Sequence, residues 1–442
     1  MLVQFSIQNF KTFRKKSTIS FVASNYDKID LEESNVVNIE NFQYRLLKSA
    51  VIYGSNASGK TKFLDAAAFL RWFIINSSTK TQEGDKINVQ PFAFNTHTEK
   101  KPSEFEIIFI IDDTQYRYGF EANKKKIISE WLYQKKLNLK PKEVELFYRE
   151  KSTFTFHKLF KKFELLQKEG DIIRDNALIL SLANQFKVKV ARKLVKYFED
   201  LSFLLGNEPN YYEGFSLNQI AEKSEIGIKI IETIKRFDIG ISDINVKEIH
   251  IDNDKYNNLP KEILNKFIEL KKKEKEIQII ETEAIHKKYD IDYNFVSSEA
   301  YDFDNTESAG TQKLLALLGP IFESLTNGSS LFIDELDSRL HPNIVSHLIK
   351  LFNSSESNPK NAQLIFNTHN SNLLNENIFR RDQIWFVQKN RYGEAEIYSL
   401  ADIKIRKNSN FEEKYLQGSY GGVPYIENLS DLFNSPENEN EK

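Results

Sequence analysis

The sequence predicts an α/β fold: a two-lobed head with a mixed sheet around a phosphate-loop helix, and an inserted helical subdomain between the lobes. Three observations predict it. Gly54-Ser55-Asn56-Ala57-Ser58-Gly59-Lys60-Thr61 fits the pattern GxxxxGK[ST], with an apolar strand before it and an amphipathic helix after it. Far along the chain a second apolar strand, Leu331-Phe332-Ile333, ends on two acids, Asp334 and Glu335. Short apolar strands separated by helical stretches occur at both ends of the chain, the pattern of a partly parallel sheet covered on both faces.

The elements follow in order. Val3, Phe5 and Ile7 alternate within Leu2 to Phe10, which predicts a half-buried strand. Lys48 to Tyr53 is a short apolar strand. Phe63, Ala67, Leu70 and Ile74 share one face of a helix over Lys60 to Ile75. Phe105 to Ile111 and Thr114 to Phe120 form a hairpin about Asp112-Asp113, with strands at Ile127 to Tyr133 and Glu145 to Arg149. These make a first lobe over residues 1–150. The middle, 151–276, reads as mainly helical. Ala183, Phe186, Val190, Leu194, Tyr197, Leu201 and Leu204 step by three or four, and a second helix spans Leu217 to Phe237. Glu262 to Ile280 begins helically and contains the charge run Lys271 to Glu276, a solvated face by its pattern. A return through Ile277 to Ser297 leads to the last lobe, 277–442. Its elements are a buried helix at Leu314 to Phe322 and strands at Ser330 to Ile333, Leu364 to Asn367 and Asp382 to Gln388. The polar tail from Pro436 reads as frayed.

Composition narrows the chemistry. The chain has 442 residues, a net charge of −2 and no cysteine, with 34 Phe and 19 Tyr. It can bury a large core in two or three domains. Thiolate metal centres, disulfides and cysteine nucleophiles are excluded. The balanced charge gives no general polycation for DNA. Met1 to Phe21 lacks a signal-peptide pattern and no long apolar run stands anywhere, so the expected location is the cytoplasm.

In the phosphate loop, Gly54 and Gly59 permit backbone angles that a Cβ penalises. The loop N–H groups and the helix N-terminus converge on phosphates. Lys60 supplies a positive charge, and the Thr61 hydroxyl suits Mg²⁺. Asp334 is positioned to hold the metal shell, and Glu335 to act as general base toward water. Gln90, before Pro91-Phe92-Ala93-Phe94, is the candidate for a further amide ligand at the metal; as an ordinary loop amide it reads equally well. His369 follows an apolar strand, and with no histidine four residues on it is a poor metal ligand. Glu307-Ser308-Ala309-Gly310-Thr311-Gln312 caps the helix that precedes the acidic strand, an anion-binding turn.

These motifs, in this order, resemble the ABC-type ATPases of the SMC, Rad50 and RecF group, and most closely the AAA15-type, abortive-infection-like ATPases of prokaryotic phage defence. Asn9-Phe10-Lys11-Thr12-Phe13 resembles the group's opening, and Leu336-Asp337-Ser338-Arg339-Leu340-His341-Pro342 its D-loop. Asn367-Thr368-His369-Asn370 matches its switch histidine. Tyr415-Leu416-Gln417-Gly418-Ser419-Tyr420-Gly421-Gly422-Val423-Pro424, after Arg406-Lys407, resembles the AAA15-like ending. The signature departs from the common Ser-Gly-Gly form: it is Ser308-Ala309-Gly310.

The resemblance implies an ABC-type head that binds Mg-ATP at Gly54–Thr61 and closes the site with Ser308 and Gly310 of a second subunit. Asp337 would couple the two sites, and Glu335 and His369 would position water. It further implies an ATP-sandwiched homodimer that controls a separate effector protein from a neighbouring gene, triggered by DNA or a phage protein. The sequence carries no nuclease constellation: Asp252, Asp254, Asp290, Asp292, Asp302 and Asp304 are loosely spaced. Two other classes stay open. One is a repair ATPase of the RecF/Rad50 type clamping duplex DNA, for which Lys187, Lys189, Arg192, Lys193 and Lys196 supply a basic helix. The other is a slow-turnover ATP-dependent scaffold.

Overall fold

The computed structural model describes residues 1–25, 31–39, 45–137, 142–206, 209–237, 239–249, 279–375, 377–405, 410–424 and 428. The charge run Lys271 to Glu276, residues 262–278 of the helix expected there, Asp252, Asp254, Arg406, Lys407 and the tail from Pro436 lie outside them.

The first lobe is an antiparallel sheet. Its strands are β1 (Leu2–Gln8), β2 (Ser17–Ser20), β6 (Ser103–Ile111), β7 (Thr114–Ala122), β8 (Ile127–Lys136), β9 (Val144–Glu150) and β10 (Thr153–Phe156), in the order β10-β9-β8-β7-β6-β1-β2. A small pair, β3 (Val36–Asn38) with β4 (Arg45–Leu47), lies between β2 and the next sheet in sequence. The second sheet holds β5 (Ser49–Tyr53), β11 (Ser202–Leu204), β15 (Ser330–Ile333), β16 (Gln363–Asn367), β17 (Ile384–Lys389) and β18 (Ala395–Ser399), in the order β11-β15-β16-β5-β17-β18. All pairings in it are parallel except β17 with β18.

Alternation along these parallel strands divides the core in two. Ala50, Ile52, Phe332, Ile365, Trp385 and Val387 face the first lobe. Val51, Tyr53, Leu331, Ile333, Leu364, Phe366, Ile384 and Phe386 face the other way. The helix Lys60–Asn76 fills the first side. Phe63 meets Phe5 at 5.4 Å and Phe13 at 5.6 Å, and Phe73 meets Phe120 at 5.5 Å. The helices Ala309–Asn327 and Pro342–Asn353 fill the second side through Leu314, Leu318, Val345, Ile349 and Phe352.

The middle of the chain differs from the sequence reading in three places. The stretch read as one helical series from Ala183 breaks at Lys187, which takes φ 60° between helices Ile179–Gln185 and Lys189–Glu199. Its last residues, Ser202–Leu204, form β11 beside the acidic strand, because three parallel pairings with the buried Leu331, Phe332 and Ile333 outweigh a short helix extension. The helix expected over Leu217 to Phe237 is two helices, Pro209–Ala221 and Glu225–Arg236, the second capped by Ser224 through Gly227 N–H. The region from Ile279 is a hairpin of β13 (Ile279–Tyr289) and β14 (Phe295–Asp302), joined to β12 (Ile241–Ile249) in a third antiparallel sheet. So the segment 151–276 also supplies β10 to the first lobe, β11 to the central sheet and β12 to the third.

Candidate functional site

Parallel register levels the carboxyl ends of three strands. Ile333 pairs with Phe366 and Asn367 with Ile52, so Asp334, Asn367 and the end of β5 stand side by side. Ligands of open α/β sheets bind at this edge.

After β5 the chain turns sharply at Gly54. A Cβ there would lie 2.5 Å from Val387 O and 2.6 Å from the Ser58 hydroxyl. Gly59 sits at φ 119°, and a Cβ on it would meet Thr12 Oγ1 at 2.8 Å. Ser55, Asn56 and Ala57 form the open rim of the loop, with Ala57 left-handed at φ 59°. Helix Lys60–Asn76 starts with no side-chain cap, leaving its first N–H groups aimed at the loop's interior. The buried Ser58 hydroxyl has no hydrogen-bond partner among the described residues. Lys60 is buried and donates to Gly54 O at 2.7 Å and Ser55 O at 3.2 Å. Burial pushes its ammonium down, and Asp334, Glu335 and Asp337 pull it back up. Unspent donors around a cationic side chain are the chemistry of a phosphate cradle, so the residues fit a nucleotide triphosphate.

Thr61 Oγ1 donates to Asp334 Oδ1 at 2.9 Å. This hydroxyl–carboxylate pair could hold a hydrated Mg²⁺, which takes few protein ligands and keeps its waters. Among the described residues no three His, Asp or Glu side chains cluster as a metal cage. Gln90 is exposed; its backbone carbonyl accepts from Lys11 N–H at 2.7 Å. No hydrogen bond among the described residues brings its side chain to Thr61 or Asp334. The turn that does reach Asp334 follows β11, where a Cβ on Gly206 would lie 3.7 Å from Asp334 Oδ2.

Asn367, fully buried, organises the acids. Its Nδ2 donates to Asp334 Oδ1, and its Oδ1 accepts from Glu335 N–H at 2.6 Å. Glu335 itself is left-handed at φ 52°, and its exposed carboxylate makes no hydrogen bond among the described residues. Asp337 accepts from His369 N–H at 3.2 Å, tying the loop after β15 to the end of β16. The imidazole of His369 is exposed at this edge. Partial desolvation of the ring against the site, then the Lys60 charge, lowers its proton affinity.

Ser308 caps helix Ala309–Asn327, its Oγ accepting from Thr311 N–H at 3.2 Å. Ser308 and Ala309 are exposed, open to a second molecule. Gly310 packs on the loop after the acids; a Cβ there would meet Arg339 O at 2.6 Å. His341 caps the next helix through Asn343 N–H, a structural role. The C-terminal motif braces the loop's base. Gly422 lies against Gly54 and Val387 O, and Tyr415 packs between Tyr53 and Phe386 at 5.5 and 5.4 Å.

Sequence reasoning missed the work of Asn367 and Lys313. Lys313 Nζ, on the signature helix, donates to Glu335 O at 2.6 Å and Ser338 Oγ at 2.7 Å. Burial pulls its ammonium down to about 8, opposed by Asp337 and Glu335. Its sequence signal is its place one turn past Gly310, on the same helix face.

A phosphate loop on the central strand of a parallel sheet, with acids ending the strand two places away, defines a P-loop domain of the ATPase class. Residues 49–375 match the family described as "AAA domain, putative AbiEii toxin, Type IV TA system", and the chain belongs to that AAA-domain family. No curated protein sequence matches it. Among solved structures it is similar to the SmcHead bound to the C-winged helix domain of ScpA, at 13% identity and TM-score 0.39, over 90% of this chain and 97% of that one. The SMC head domain from Thermotoga maritima gives 12%, 0.36, 91% and 99%. The recombination mediator protein RecF with ATP gives 13%, 0.31, 90% and 97%.

Proposed function

We propose that the chain is the ATP-binding and hydrolysing switch subunit of an abortive-infection-like anti-phage system, of the AAA15 type, working in the cytoplasm. The observation that carries the ATPase half is the shared hold on Asp334 and Glu335: Thr61 reaches the first acid and Asn367 fixes both, beside Lys60 and His369. Gly54 to Thr61 cradle the triphosphate. Thr61 and Asp334 would hold Mg²⁺, whose chemistry is to neutralise charge on the phosphates. Glu335, its carboxylate unbonded among the described residues, takes the proton of the attacking water, and His369 orients that water. Ser308 and Gly310 close the partner subunit's site, and Asp337 links the two. ATP then pairs two heads, and hydrolysis parts them.

The defence half rests on the family description, that of a toxin–antitoxin component. The effector is a separate protein, released or held according to nucleotide state. No helix among the described residues is long and apolar enough to cross a membrane. The basic helix Lys189–Glu199 supports a DNA clamp weakly: Lys193 pairs with Asp112, Lys196 pairs with Asp200, and its opposite face is core. Steady-state phosphate release by the purified protein tests the ATPase reading. Lys60→Ala is expected to abolish it, by at least about 100-fold, since the loop loses its cation. Unchanged turnover in that variant overturns the reading.

A further inference from the structure

Both backbone groups of Glu335 are held by side chains. Asn367 takes its N–H, and Lys313 donates to its C=O at 2.6 Å. The residue needs such support, since a non-glycine residue at φ 52° is strained. The two clamps come from different parts of the fold. Asn367 ends β16, in the same sheet as β15. Lys313 is carried by helix Ala309–Asn327, whose first turn is the exposed signature Ser308–Gly310.

Lys313 also donates to Ser338 Oγ at 2.7 Å, and Gly310 packs against Arg339 O. Gly310 and Lys313 are three residues apart, so one helix face carries both. That face grips a loop whose two ends, Glu335 at φ 52° and Arg339 at φ 62°, are both left-handed. The loop's own turn bonds, Ser338 N–H to Glu335 O at 3.1 Å and Leu340 N–H to Asp337 O at 3.2 Å, make it a stiff unit, and a stiff unit in sparsely populated angles follows the helix that grips it.

We infer that Lys313 is a positioning residue that couples the signature turn of each subunit to that subunit's own general base, making hydrolysis at one site depend on nucleotide held at the other. The inference rests on the ATP-sandwiched dimer proposed above. In that dimer the signature turn contacts the partner's nucleotide, while Glu335 acts on the subunit's own. A shift of the signature helix on engaging the partner's ATP reaches Glu335 through the Lys313 ammonium, whose bond to the carbonyl sets where the carboxylate points. An Arg at 313 keeps the charge and the donors; a Met keeps the length and loses both.

The test uses full-length wild type, Lys313→Met and Lys313→Arg, each checked for thermal melting and for ATP binding to the Mg²⁺-loaded protein. Three readouts are taken: kcat, the Hill coefficient for ATP, and dimer formation with ATP by analytical ultracentrifugation. The expected result for Lys313→Met is a kcat lower by about 10- to 100-fold, the range of a charge-assisted hydrogen bond. ATP affinity and dimer formation stay within about twofold, and the Hill coefficient falls to about 1. Lys313→Arg recovers most of the turnover and the cooperativity. Wild-type kcat and cooperativity in Lys313→Met overturn the inference while leaving the ATPase reading intact. So does a loss of kcat with the cooperativity unchanged, which marks a local structural role. A wild-type protein that neither hydrolyses ATP nor pairs on binding it overturns the underlying reading instead.

Discussion

Glu130 and Glu335 are both held acids, and they are held by opposite ends. Glu130 is fully buried on β8, and its carboxylate is wholly engaged. Tyr118 OH donates to it at 2.9 Å, and Ile179 and Leu180 N–H donate at 2.7 and 3.1 Å. Glu335 is exposed, its backbone N–H and C=O are pinned by Asn367 and Lys313, and its carboxylate is left unbonded among the described residues. Burial drives the Glu130 carboxyl up to about 7, while Glu335, the acid proposed for chemistry, carries oxygen atoms unbonded among the described residues. The acid with the large pKa shift is therefore the structural one. A fixed backbone with a free carboxylate is the better mark of a general base here, because the group must accept a proton that structural bonds would otherwise occupy.

The comparison breaks most sharply on charge removal. Glu335→Gln is expected to lower kcat by at least about 100-fold, the usual range for removing a general base. Its melting temperature stays near wild type, since the carboxylate makes no hydrogen bond among the described residues. ATP-bound dimers of this variant accumulate, measured by size-exclusion chromatography, because hydrolysis no longer ends the pairing. A variant that melts far lower, or that turns over normally, reverses the roles assigned to the two acids.

Glu130→Ala sharpens the other side. It strands the Tyr118 hydroxyl and the first N–H groups of helix Ile179–Gln185, and it leaves the buried Arg149 with only the exposed Asp175, 3.7 Å away, as an acidic partner. A loss of about 3 kcal/mol is expected in urea unfolding, the range for breaking a buried polar network. Activity per folded molecule stays unchanged, as Glu130 lies in the first lobe's core and not at the strand edge that holds Asp334.

How much of this was legible in the sequence follows from how local each feature is. The phosphate loop was legible because its strand, turn and helix are contiguous. Asp334, Glu335, His369 and Ser308 were legible as a series, since each ends a strand or starts a helix with a recognisable residue. The double hold of Asn367 was not, because it depends on the register of β15 against β16. The link from Lys313 to Glu335 depends on how a helix lies over a loop. The approach of Gly206 to Asp334 is not legible, since nothing in a glycine shows that β11 will pair beside the acidic strand. The hairpin β13–β14 was read only as a return segment. Its second strand is largely exposed, so it lacks the apolar alternation that marks a half-buried strand. The first lobe was easier: its strands carry that alternation from β6 through β8.

The smallest expected effect is a slope, and it separates the two acids again. Folded Glu130 keeps its proton up to about pH 7, whereas the same carboxyl in the unfolded chain loses it near 4.5. Between those values the folded state binds more protons than the unfolded state. Stability from this group is therefore complete below the lower value and is lost as pH rises through the upper one. The full difference is on the order of 3 kcal/mol, spread over more than two pH units. Wild type should thus lose stability from pH 5.5 to 8 relative to Glu130→Gln, which has no proton to release. Parallel curves for wild type and Glu130→Gln, in urea unfolding across that range, would mean that Arg149 and the two backbone donors already keep the Glu130 carboxylate charged in the folded core. The contrast between the two acids would then rest on hydrogen bonding alone.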